Sequence, residues 1–166
     1  MSKSSWLLAV PLLVLVAAPP IYAGESDEAT LEILLGTLRS NRKALVAVNL
    51  ALTDDEARSF WPVYDRYEKE LAAIQDRLLA VIREYAANLT SMSDEEAEQL
   101  VGEYLQAETD HAALREAYLK PISEALPGVK VMRFYQIENK IMAILRYDVA
   151  AKIPVVPEEP APRGSE

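Results

Sequence analysis

The residues best spaced for chemistry in this chain are Glu108 and His111, within Glu108-Thr109-Asp110-His111. On a helix this spacing sends both side chains to one face, as in di-iron carboxylate bundles, where two such motifs and two further glutamates hold the metal pair. His111 is the chain's one histidine, so a second motif would have to come from the other subunit of a symmetric dimer. The plainer reading is a histidine packed on an apolar helix face, and neither a metal nor a cofactor is expected. The absence of cysteine excludes disulfide frameworks, thiol nucleophiles and zinc-finger spacings. No nucleophile, base and orienting group can be assembled around one histidine, and five scattered glycines form no phosphate-cradling loop. An enzyme is therefore not expected.

Two acidic triplets, Asp54-Asp55-Glu56 and Asp94-Glu95-Glu96, lack the alternating aspartates and glycine of a calcium loop. Each follows a hydroxyl residue, Thr53 or Ser93, that stands three positions before a glutamate. That is the capping-box spacing, which satisfies the first free amides of a helix, and acidic first turns complement the helix dipole. The triplets therefore read as helix starts. The candidates for binding a partner are the aromatic cluster Phe60, Trp61, Tyr64 and Tyr67 and the basic residues Arg39, Arg42 and Lys43. Phe60, Tyr64 and Tyr67 share an apolar stripe, where a core role competes with a binding one; Trp61 lies beside the stripe and is the better candidate for exposure.

Positioning these residues requires long helices. Ala57, Phe60, Tyr64, Tyr67, Leu71, Ile74, Leu78, Val81 and Tyr85 alternate steps of three and four, a heptad stripe suited to knobs-into-holes packing. The stripe predicts a helix from Thr53 to about Asn88, roughly 50 Å long at ~1.5 Å per residue. Ala97, Leu100, Tyr104, Ala107, His111, Leu114 and Tyr118 repeat the design, so the two segments form a helical hairpin. Leu31, Leu34, Leu38, Leu45, Val48 and Leu52 mark a first helix from about Asp27 to Leu52. Val131, Phe134, Ile137, Ile141, Ile144 and Leu145, after Pro127-Gly128, mark a fourth. Pro62 and Pro121 fall inside the long patterns and predict kinks, because proline removes a hydrogen bond and crowds the preceding turn. Strand and hairpin signals are missing. The expected class is all-α: four long, partly kinked helices in hairpins with heptad-like packing. A cradle-shaped dimer and a compact four-helix monomer both complete the burial of the stripes.

The ends read differently. Lys3, the apolar run Trp6 to Ala18 and Ala23 before Gly24 follow the pattern of a secretory signal. The run is short of the about 20 apolar residues that span a bilayer. Residues 1–23 are thus expected to be removed, leaving 166 less 23, or 143 residues, with no stable membrane span. Loss of Lys3 would take the net charge from −9 to −10. This acidity argues against broad nucleic-acid binding, which depends on Lys and Arg neutralising phosphates. Residues 24–153 form the helical domain, and the proline-rich, charged stretch 154–166 reads as a disordered tail.

The stretch Leu50-Ala51-Leu52-Thr53-Asp54-Asp55-Glu56-Ala57, followed by Phe60-Trp61-Pro62-Val63-Tyr64, resembles the Leu-Thr-x-x-Gln region of the Spy/CpxP-like periplasmic proteins. Leu52, Thr53 and Glu56 carry the motif, with Glu56 in place of Gln; at its second expected copy, Met92-Ser93 replaces Leu-Thr. The closing Arg133-Phe134-Tyr135-Gln136-Ile137-Glu138-Asn139-Lys140 is similar to the final helix of the same group. The resemblance implies an exported, periplasmic, all-helical protein, a cradle-shaped homodimer acting as an ATP-independent chaperone for unfolded envelope proteins or as the partner of an envelope-stress sensor. A dedicated structural or regulatory adaptor with one partner is the alternative. Family chaperones present a basic, apolar concave surface, whereas this chain is acidic.

Overall fold

The computed structural model describes residues 36–37 and 41–156, and the expected signal, Arg39 and the end of the tail lie outside them. Among the described residues the chain is all-α, with four helices and no strand. We label them α1 (41–50), α2 (Asp54–Asn88), α3 (Asp94–Ala125) and α4 (Gly128–Lys152). Residues 36 and 37, just before α1, are also helical.

Cross-helix contacts fix an up-and-down arrangement. Lys43 of α1 meets Asp65 of α2, while Lys130 at the start of α4 reaches the Ala51 carbonyl and Glu56. Tyr118 of α3 donates to Glu70 of α2, and Arg77 of α2 meets Asp110 of α3. Tyr135 of α4 donates to the Arg115 carbonyl, and Arg146 meets Glu108. Between α2 and α3, and between α3 and α4, position rises along one helix as it falls along the other, as short connections require, and Arg42 at Glu138 with Ala51 at Lys130 sets α1 antiparallel to α4 in the same way.

The helix starts are the ones the sequence encodes. Thr53 and Ser93 each accept from the backbone amide three residues on, and Glu56 and Glu96 bond back to the cap amides. Ala51, which ends α1, is in the left-handed region with φ 49°. Such a conformation is common where helices end, although it normally falls to glycine or asparagine. The Lys130 ammonium donates to its carbonyl at 2.8 Å.

The prolines do not interrupt their helices: α2 runs unbroken through Pro62, and α3 through Pro121. Arg58 and Ala117, four residues earlier, are exposed, so water can bond the carbonyls that proline leaves without a partner.

The heptad stripes bury their members at one end and drift at the other. Phe60, Tyr64, Tyr67, Leu71 and Ile74 are buried, but beyond them Gln75 and Leu79 go inward while Leu78 is only half-buried. A straight α-helix drifts about 20° per heptad from a 3.5-residue repeat, enough over three heptads to exchange neighbouring positions. On α3 the expected stripe holds except at Tyr104, which is 44 % exposed. On α4, Ile144 is 57 % exposed, and Glu138 and Met142 are buried instead.

One core joins α1, the first half of α2, the second half of α3 and the first half of α4. A second, smaller cluster of Leu79, Met142 and Leu145, with Ile82 and Val149 against it, lies between the later parts of α2 and α4.

Candidate functional site

Most of the expected partner-binding residues belong to the first core. Phe60, Tyr64 and Tyr67 are fully buried. Phe134 of α4 packs edge-on against all three rings, with centroids 5.5, 6.2 and 5.8 Å away. This geometry suits the aromatic quadrupoles and adds to area burial. The binding reading of these three is therefore corrected to a packing role, since a partner could reach them only by opening the bundle. Trp61 is half-buried against the same core, and Lys43 sits 5.3 Å from its ring centre. Lys43 also pairs with Asp65 at the surface. Trp61 and Lys43 thus remain accessible in part.

Arg42 needs the same correction. Its side chain is 4 % exposed and lies 2.5 Å from Glu138, itself 1 % exposed. Its Nε donates to the second carboxylate oxygen at 3.2 Å, while the Tyr67 hydroxyl donates to Glu138 at 2.9 Å. Burying a charge is tolerable when it is paired and hydrogen-bonded, and this triad ties α1, α2 and α4 together. Burial and the nearby Glu138 carboxylate push the Tyr67 hydroxyl well above the usual phenol range, so Tyr67 stays a donor. Glu138 occurs mid-helix beside Ile137, and charge at that position carried no sequence signal of burial.

The motif residues have structural work. Thr53 caps α2, Leu52 packs partly against the core, and Glu56 joins the cap to α4 through Lys130 at 2.5 Å. The Lys130 hydrogen bond, with the Thr53 amide, holds the Glu56 carboxyl below the usual carboxylate range.

Glu108 and His111 do not act as a pair. Glu108 meets Arg146 of α4 at 2.5 Å, while His111 is buried on α3 with its Nε2 unpartnered among protein groups. Burial lowers the His111 pKa first, with further lowering by Arg115, Arg146 and Arg42 and an opposing pull from Glu108. The imidazole is therefore neutral at pH 7. Among the described residues no three His, Asp or Glu side chains gather as metal ligands.

The feature suited to holding another molecule lies at the opposite end from the aromatic core. A cavity of about 640 Å³ opens between the second half of α2, the first half of α3 and the second half of α4. That volume falls within the roughly 300–1,000 Å³ of sites that enclose ligands. Leu78, Ile82, Leu100, Leu145 and Val149 are among its walls. Among the described residues its charged lining consists of Glu108 and Arg146, which pair with each other. Residues 154–156, expected in the tail, follow its edge, and the Tyr85 hydroxyl donates to the Pro154 carbonyl at 2.6 Å. At the wall on α3, Val101 and Tyr104 are 58 % and 44 % exposed, with Leu105 beside them at 57 %. Val101 and Leu105 stand one turn apart just outside the heptad stripe. Of the two, Val101 lines the cavity, whose other apolar α3 residues, Ala97, Leu100 and Tyr104, belong to the stripe.

No helix among the described residues is long and apolar enough to cross a membrane. Comparison with known protein families, characterised proteins and solved structures finds no match for this chain.

Proposed function

We propose that this is an exported, non-enzymatic binding protein of the Spy/CpxP kind, which works in the periplasm and shields apolar stretches of unfolded envelope proteins. The observation that carries the reading is the open apolar cavity of about 640 Å³ with exposed Val101 and Tyr104 at its α3 wall. Exposed apolar surface of this kind marks an interaction site. The binding surface is accordingly placed at the cavity rather than at the aromatic cluster. Helix walls have their backbone groups satisfied internally, so contact there is dispersive and sequence-tolerant, as capture of varied clients requires. The surrounding acidity keeps the loaded protein soluble.

The test is suppression of client aggregation without nucleotide. Light scattering from an unfolding client should fall at equimolar protein, and Tyr104→Asp should abolish most of the protection while leaving helix content intact. Equal protection by wild type and Tyr104→Asp would remove the cavity from the account. No protection at stoichiometric excess would remove the chaperone itself. One salt-sensitive co-purifying partner, without broad protection, would instead establish the dedicated adaptor.

A further inference from the structure

One end of the cavity carries a pair of opposite charges that is only half used. Arg146 of α4 and Glu108 of α3 both line the cavity, and their side chains are 55 % and 28 % exposed, which places them at its mouth. The bond between them runs from Nη2 to Oε2 at 2.5 Å. Among the described residues, Nε and Nη1 of Arg146 have no acceptor and Oε1 of Glu108 has no donor. An open donor edge therefore stands beside an open acceptor. A guanidinium fork of this kind matches the geometry of phosphate as well as carboxylate oxygens.

From this pair the apolar walls run toward the turn between α2 and α3. The α3 wall extends from Glu108 back to Ala97, roughly 16 Å at ~1.5 Å per residue. Leu78, Ile82 and Val149 are half-buried along the cavity, and Val101 and Tyr104 are exposed, so apolar surface is still open to a guest. The volume of about 640 Å³ holds roughly 20 non-hydrogen atoms, if each takes the ~30 Å³ that a water molecule occupies in the liquid. That is room for one acyl chain and too little for the two of a membrane lipid. Charge then selects the headgroup. A purely anionic head would meet Arg146 but also the neighbouring Glu108, on a chain of net charge −9. A cationic head meets the reverse conflict at Arg146. A head with both signs on adjacent groups satisfies both residues through charge-assisted hydrogen bonds.

We propose that the cavity binds one molecule of a single-chain zwitterionic lipid, with the acyl chain between α2, α3 and α4 and the phosphate and ammonium of its head on Arg146 and Glu108. Such binding depends on the cavity's geometry alone, whether or not clients are held there.

The probe is palmitoyl lysophosphatidylethanolamine, added to the full chain below its micelle-forming concentration. It should displace the apolar fluorophore N-phenyl-1-naphthylamine saturably, with one lipid per chain in native mass spectrometry. Palmitate and monopalmitoylglycerol keep the chain but lack one or both head charges, and should bind several-fold more weakly. Arg146→Gln should weaken lysolipid binding several-fold and leave monopalmitoylglycerol unchanged. Val101→Asp, a charge at an exposed position on the chain's path, should weaken both. Equal affinity for the three lipids, or undiminished lysolipid binding by Arg146→Gln, would overturn the proposal, as would several lipids per chain or none. If Arg146→Gln fails to fold, the three lipids compared on wild type decide it. Lipid binding without client protection would refute the chaperone reading alone, and client protection without lipid binding would refute the lipid site alone.

Discussion

Replacing Glu138 by leucine removes the acceptor at the centre of the triad, and the structure indicates the cost. Arg42 is left with a guanidinium side chain only 4 % exposed and without the carboxylate that binds it, and the Tyr67 hydroxyl loses its acceptor. Breaking a buried pair in this way costs about 3–5 kcal/mol, chiefly through the uncompensated charge. At roughly 3 °C per kcal/mol for a chain of this size, Tm should fall by about 10–15 °C. The assay is circular dichroism at 222 nm during thermal and urea unfolding of Glu138→Leu beside wild type. The triple variant Arg42→Met, Tyr67→Phe, Glu138→Leu separates charge burial from loss of volume. Apolar replacement of a whole buried pair is often neutral or stabilising, so it should recover most of the lost stability. A loss below about 1 kcal/mol in Glu138→Leu, or a triple variant as unstable as the single, would refute a desolvated ion pair at this position.

Two further outcomes follow from local geometry and charge. Ala51 sits at φ 49°, where an L-residue costs about 1–2 kcal/mol; glycine's greater freedom when unfolded offsets about 0.5–1 kcal/mol. Ala51→Gly should therefore raise stability by roughly 0.5–1 kcal/mol in urea titration, and a loss of stability would contradict the assigned conformation. His111 has a folded-state pKa below its ordinary value of 6.5, so protonation favours the unfolded chain. Its contribution is intact above about pH 6.5 and is lost as pH falls from there to the lowered folded value. His111→Leu should flatten Tm between pH 6.5 and 5, whereas an unchanged slope would assign that dependence to other groups.

The helices were legible because their signals are local. Thr53 with Glu56 and Ser93 with Glu96 mark helix starts through bonds spanning three residues, and an apolar stripe reports a buried face wherever the partner helix follows it. Leu78 is only half-buried and Ile144 exposed because a 3.5-residue ruler drifts from the 3.6-residue turn along a long helix. The site was less legible. Spacing places Phe60, Tyr64 and Tyr67 on one face but does not distinguish a core from a docking surface. Phe134, seventy-odd residues away, decides it by covering their rings. Arg42 looked like part of a basic surface because its acceptor, Glu138, lies on another helix. Leu100 and Tyr104 line the cavity from the stripe itself, and whether such a stripe is covered along its whole length depends on the tertiary partner.

In the proposed function, clients are held at the cavity end of the bundle. Site-specific photocrosslinking in the cell envelope tests it most directly, with the probe at Tyr104 on the α3 wall and, as control, at Leu119, which is 50 % exposed and outside the cavity. Adducts to several envelope proteins should form from Tyr104 and few from Leu119. Equal labelling from the two positions, or none from Tyr104 while the protein is folded and exported, would contradict it.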